Sequence, residues 1–213
     1  MKGSLRIVAG EWRGRTLAAP PGTLTRPTAD RVRQALFDML LHAPWGGREA
    51  VEGARVLDAF AGTGAIGLEA LSRGAAHATF IERDRAALAT LRANVARCGA
   101  TARSAILGLD ALNYCPYPGS SPQGYCPYPG SSARGYCPDP GSVSRGFDLV
   151  FLDPPYGQGL IPRALARLRA AGCLAAGALL IMETGRDEAP DPQRAILASR
   201  AHGAALLTVW RET

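Results

Sequence analysis

Residues 147–157 read Phe-Asp-Leu-Val-Phe-Leu-Asp-Pro-Pro-Tyr-Gly. An apolar run ends on a carboxylate, two prolines and an aromatic ring. Prolines fix φ and remove backbone donors, so the stretch from Asp153 to Tyr156 is stiff and its Pro154 and Pro155 carbonyls are left to accept from elsewhere. Rigid acceptors beside a flat ring suit a planar group carrying an exocyclic amine. Such an amine is a poor nucleophile, because its lone pair is delocalised into the ring. Acceptors at the Asp153 carboxylate and a proline carbonyl would hold both N–H groups and favour a pyramidal nitrogen. Tyr156 offers a stacking face for a base that has left its own stack.

A second constellation would supply the electrophile. Val56-Leu57-Asp58-Ala59-Phe60-Ala61-Gly62-Thr63-Gly64-Ala65-Ile66-Gly67 is a strand, a glycine turn and the start of a helix. Open α/β sheets bind their ligands at this place. Gly62, Gly64 and Gly67 formally match the dinucleotide fingerprint. Asp58 argues against a pyrophosphate, which it would repel, and for a cationic group such as the α-ammonium of S-adenosylmethionine. Glu82 follows the second strand and suits the ribose hydroxyls. Asp110 follows the third and suits the adenine amino group, although a helix cap explains it equally well. Three acids at three strand ends favour S-adenosylmethionine over a nicotinamide dinucleotide. Catalysis would then rest on positioning and electrostatics, with no metal and no covalent intermediate. Asp153 and water both remain open as acceptors of the departing proton.

These residues need a sheet to align them. The pattern predicts strands at 55–60, 79–82, 104–107, 147–153 and 178–183, and helices at 65–73, 85–97 and 161–171. β and α alternating at this spacing mean a mostly parallel sheet with helices on both faces, a Rossmann-like α/β fold. Residues 195–199 and 204–210 read as a C-terminal antiparallel hairpin that brings the sheet to seven strands. Residues 1–47 form a small extension: a hairpin over 5–17, then a helix from Thr28, as cap, to about Leu41. Its apolar stripe is Ala29, Val32, Ala35, Leu36, Met39 and Leu40, with Arg31 and Arg33 off the stripe. Residues 48–213 form the main domain.

Charge singles out the extension. The 213-residue chain carries a net charge of +6. Residues 1–33 hold seven basic residues (Lys2, Arg6, Arg13, Arg15, Arg26, Arg31 and Arg33) against Glu11 and Asp30. A basic arm on a near-neutral body suggests a polyanionic partner, with a solvated arm as the plain alternative. No apolar run is long enough to span a membrane and no apolar leader is visible, so a cytoplasmic protein is expected. Cys98 and Cys173 read as small buried thiols. Residues 114–146 repeat with a period of 11, beginning Tyr-Cys-Pro each time. Cys115, Cys126 and Cys137 lack the close pairing of zinc ligands, so a flexible surface insertion is favoured over a metal site.

Three stretches together resemble the RsmD family: Arg6–Arg15 (RIVAGEWRGR), Arg26–Phe37 (RPTADRVRQALF) and Leu57–Gly74 (LDAFAGTGAIGLEALSRG). The glycine turn and Asp-Pro-Pro-Tyr are shared more widely among class I methyltransferases; the N-terminal stretches are specific. The resemblance implies methyl transfer from S-adenosylmethionine to the N2 amino group of a guanine in 16S rRNA of the small ribosomal subunit, by a monomer. It implies that Asp58, Ala59, Phe60, Gly62, Gly64, Glu82, Arg83, Asp110 and Ala111 bind the cofactor, and that Asp153, Pro154, Pro155 and Tyr156 hold the guanine. Arg6, Arg13, Arg15, Arg26, Arg31 and Arg33 would face RNA. The repeat stands where the family has a short helix, which leaves Asp110 the least supported of the acids. A DNA adenine-N6 methyltransferase shares the same loop; an oxidoreductase or a non-catalytic RNA-binding protein is the more distant alternative.

Overall fold

The computed structural model describes residues 5–19, 27–114, 146–188 and 195–213. Seven strands form one sheet: β1 (Arg55–Asp58), β2 (His77–Ile81), β3 (Ser104–Leu107), β4 (Phe147–Leu152), β5 (Leu174–Gly185), β6 (Ile196–His202) and β7 (Ala205–Arg211). Their order is β3-β2-β1-β4-β5-β7-β6. The first five run parallel, and β7 is antiparallel to both β5 and β6. The helices are α1 (Pro27–His42), α2 (Ala65–Ser72), α3 (Arg85–Cys98) and α4 (Leu160–Ala170). The expected architecture and strand count are those found.

Burial on both faces explains the near-continuous apolar strands. Val56, Leu149, Phe151 and Ile181 pack on the side of α1, α2 and α3. Their sequence neighbours Leu57, Val150, Leu152, Leu180 and Met182 pack on the side of α4. Asp84 caps α3 by accepting from the Ala87 N–H at 2.8 Å. β5 is longer at both ends than the predicted 178–183, because it pairs with β4 on one side and β7 on the other.

The N-terminal hairpin is real but short on ladder bonds. Arg6 and Thr16 form one antiparallel bridge, flanked by Ile7 N–H to Arg15 O at 2.9 Å and Leu17 N–H to Leu5 O at 2.8 Å. It is held mainly by the end of α2. Leu5, Ile7, Trp12 and Leu17 share one buried cluster with Leu68 and Leu71 of α2 and Phe37 and Leu40 of α1. At Gly10 (φ 82°) a Cβ would fall 1.9 Å from the Ser72 carbonyl oxygen, so only glycine lets the hairpin sit there.

Three expectations change. Arg33 does not lie on an outer face: it is 4% exposed, and its guanidinium meets Asp30, Glu69 and the Arg6 carbonyl. Phe37, left off the predicted stripe, is fully buried with its ring 5.9 Å from that of Phe151. α1 therefore buries a wider arc than its simple periodicity suggests. Tyr114, the first residue of the repeat, belongs to the core and packs against Phe147. Arg26, the side chain of Thr28 and the cysteines at 115, 126 and 137 lie outside the described residues.

Candidate active site

The strand order reverses between β1 and β4, which pair directly with Asp58 opposite Phe151. Ligands of open α/β sheets gather at such a switch point, beyond the carboxyl ends of the strands. The ends of β1, β2, β3 and β4 here surround a cavity of about 310 Å³. Its walls carry Ala59 and Phe60 after β1, Glu82 and Arg83 after β2, Asp110 and Ala111 after β3, and Asp153 and Pro155 after β4. Residues spread over nearly a hundred positions of sequence thus face one space.

The glycine turn serves the cavity without lining it. Gly64 (φ 78°) begins α2, and a Cβ there would meet Leu91 at 2.3 Å. At Gly67 a Cβ would meet the Phe80 ring at 2.4 Å, so α2 lies tight against β2. The Gly62 N–H donates to Glu82 Oε2 at 2.8 Å, and the Asp84 N–H to Glu82 Oε1 at 2.7 Å. Each carboxylate oxygen keeps a lone pair for a diol. Asn94 of α3 braces the turn from behind: its amide donates to Thr63 O at 2.9 Å and clasps the Ala18 backbone through both N–H and C=O.

Asp58 is 3% exposed and accepts from the Gly67 N–H at 3.1 Å. Burial lifts its carboxyl to about 7, against the pull of that bond, and the Glu82 charge adds to the lift. A buried acid whose charged form is disfavoured gains most from a cationic partner. Asp110 caps a 3-10 turn through Leu112 N–H at 3.0 Å and pairs with Arg83 at 2.9 Å. Both capping and the cavity-lining place therefore hold for Asp110. The surface ion pair with Arg83 is worth little by itself.

Beyond β4 the rigid loop divides two spaces. Pro155 and Leu160 line the 310 Å³ cavity and also a second one of about 220 Å³. The second contains Pro154, Tyr156, Met182, Glu183, Glu188 and Thr208. Tyr156 is 43% exposed, and its hydroxyl donates to Glu183 Oε1 at 2.6 Å. Burial first and that bond second raise the phenol, so it stays protonated. Asp153 is exposed on the cavity wall. Partial loss of water, then the Glu183 and Asp58 charges, raise its carboxyl above the usual carboxylate range.

Three residues of this region went unremarked in the sequence. Glu183 lies two residues before the end of β5, but it closes the predicted strand 178–183, and the rule that picked Asp58 and Glu82 would have found it. Glu69, fully buried in α2, accepts from Val8 N–H at 2.8 Å, Ala9 N–H at 2.9 Å, Arg73 and Arg33. Apart from Arg73, four residues on from Glu69, their partners lie 31 to 76 residues away, so neither Glu69 nor Asn94 stands out in the sequence. Arg6, Arg13, Arg15 and Arg31 are exposed, and Arg33 is not.

The residues fit S-adenosylmethionine: Asp58, buried next to the lining Ala59, for an ammonium, Glu82 on the wall with two free lone pairs for a diol, and apolar walls at Phe60, Ile81 and Leu109 for a flat ring. Comparison with known proteins agrees. The family model described as Conserved hypothetical protein 95 matches residues 5–123 and 131–211. Ribosomal RNA small subunit methyltransferase D of Escherichia coli (strain K12) is 37% identical over 189 residues, 85% of this chain and 75% of that protein. Its namesake in Haemophilus influenzae is 32% identical, over 88% of this chain and 82% of that one. Among solved structures, yhhF from Escherichia coli superposes with a TM-score of 0.71 at 30% identity, covering 99% of this chain and 98% of that chain. The chain belongs to this family, the RsmD family of methyltransferases.

Proposed function

We propose that this protein transfers a methyl group from S-adenosylmethionine to the N2 amino group of a guanine in 16S rRNA. The observation that carries the reading is the placing of Asp153 and Pro155 on the wall of the cavity that Glu82 and Asp110 also line, with Asp58 buried next to the lining Ala59. Amine and cofactor sites thus share one wall.

S-adenosylmethionine supplies an electrophilic methyl group on a sulfonium. Asp58 holds the ammonium of its methionine part, and Glu82 its ribose. On the other side, the Asp153 carboxylate and the Pro154 carbonyl accept from the two N–H groups of the amine. That aims its lone pair at the methyl carbon. Tyr156 stacks on the extruded base, and its hydrogen bond to Glu183 fixes the ring. The raised Asp153 carboxyl is suited to take the proton that the amine loses. Catalysis is positioning and electrostatics on prearranged groups. The exposed Arg6, Arg13, Arg15 and Arg31 supply a phosphate-binding arm.

Tritiated S-adenosylmethionine with undermethylated small ribosomal subunits tests the reading. One labelled N2-methylguanosine is expected on nuclease digestion. Label confined to duplex DNA, as N6-methyladenine, would overturn it.

A further inference from the structure

The geometry points to Glu183 as the residue that selects guanine, by accepting from the ring N1–H while Asp153 and Pro154 hold the 2-amino group. This rests on the guanine-N2 reading above.

β4 and β5 pair in parallel with Leu152 opposite Met182. The next residues are Asp153, just past the end of β4, and Glu183, still within β5. Adjacent strands lie about 4.8 Å apart, so two carboxylates stand side by side along the sheet edge. Guanine presents two neighbouring donors on one edge, the 2-amino group and N1–H. Two side-by-side acceptors match that pair. Adenine offers a donor at its amine but an acceptor at N1, which would face the Glu183 carboxylate with no proton between them.

Glu183 lines the 220 Å³ space beside Tyr156, the proposed stacking ring. The Glu183 orientation is already set, because its Oε1 is occupied by the Tyr156 hydroxyl. A carboxylate can only accept, whereas an amide in its place presents both a donor and an acceptor.

The test replaces the labelled guanine, once mapped, by 2,6-diaminopurine. That base keeps a methylatable 2-amino group but carries an acceptor at N1. Wild-type protein should prefer guanine by about 10- to 100-fold in kcat/KM. Glu183→Gln should erase most of that preference, chiefly by raising the rate on 2,6-diaminopurine. A residue that only props Tyr156 would lower both rates alike. Equal use of the two bases by wild type overturns the inference without any variant. So does a Glu183→Gln protein that binds S-adenosylmethionine normally and keeps the full preference. If wild type labels no guanine at all, the guanine-N2 reading fails, and the inference falls with it. If it labels guanine N2 but accepts both bases, only the inference fails.

Discussion

Glu82 Oε2 accepts the Gly62 N–H at 2.8 Å, so the acid proposed to hold the ribose also shapes the glycine turn. Its other oxygen holds the Asp84 N–H, and Asp84 in turn caps α3. One carboxylate therefore ties the ends of β1 and β2 together. Ligand affinity and loop geometry depend on the same side chain.

Glu82→Ala should therefore do more than delete a ligand bond. Loss of two hydrogen bonds to a charged group costs about 1–3 kcal/mol of stability. S-adenosylmethionine affinity should fall by more than the roughly 10-fold expected from one ligand bond, because the turn reopens. Glu82→Gln keeps one acceptor and should fall between. Calorimetric titration gives the affinity of each variant, and thermal unfolding gives its stability.

Asp58 makes a pH prediction with a definite sign. Its folded value of about 7 lies above the ordinary 3.8, so the folded state holds the proton more tightly. Stability without cofactor should drop as pH rises from about 4 through about 7, and the raised Asp153 carboxyl extends the fall in the same sense. The full effect is on the order of a few kcal/mol. Asp58→Asn keeps an acceptor for Gly67 N–H and removes the charge. It should be more stable than wild type at pH 8, nearly equal to it at pH 4, and unable to bind S-adenosylmethionine. Wild-type binding should release protons near pH 7, since the ammonium draws Asp58 into its charged form. Titrations in buffers of different ionisation enthalpy measure that release.

The acids at the strand ends were legible because strand and turn patterns are local. Asp58, Glu82 and Asp153 each follow an apolar run, and topology alone brings such ends together. The extension was half legible. Its basic side chains could be counted, but Arg33 looked like any other surface arginine on a helix. Its burial depends on Glu69, which is 36 residues away and itself looks like an ordinary helical acid. Gly10 and Ser72 meet only because the hairpin folds back on α2. Polar interactions made at long range, with no repeating pattern, leave no periodic trace.

The Glu69 cluster gives a third prediction. Glu69→Ala would leave the Arg33 and Arg73 charges and the Val8 and Ala9 N–H groups without their acceptor in a fully buried place. Breaking a buried charge cluster from one side costs about 3–5 kcal/mol. The hairpin should loosen first, since its backbone is what Glu69 holds. Amide hydrogen exchange should speed up at residues 7–17 well before it does in β1 and β4. Uniform acceleration across the sheet would mean that the hairpin and the main core open as one unit.

The arginines separate by burial, and that separation is testable. Arg13 and Arg31 are exposed and belong to the proposed RNA arm. Replacing each with glutamine should leave thermal stability within about 0.5 kcal/mol of wild type. RNA affinity should fall for all sequences alike, and the slope of log K against log salt should shrink by about one for each phosphate no longer neutralised. Arg33→Gln should do the reverse. It removes one of the two arginine partners of a fully buried Glu69, so stability falls by about 1–3 kcal/mol. At temperatures where the variant is folded, its salt slope should match wild type. Filter binding over a salt series, run beside thermal unfolding of each variant, checks both halves. A reduced slope for Arg33→Gln in the folded state would return that residue to the RNA-facing set.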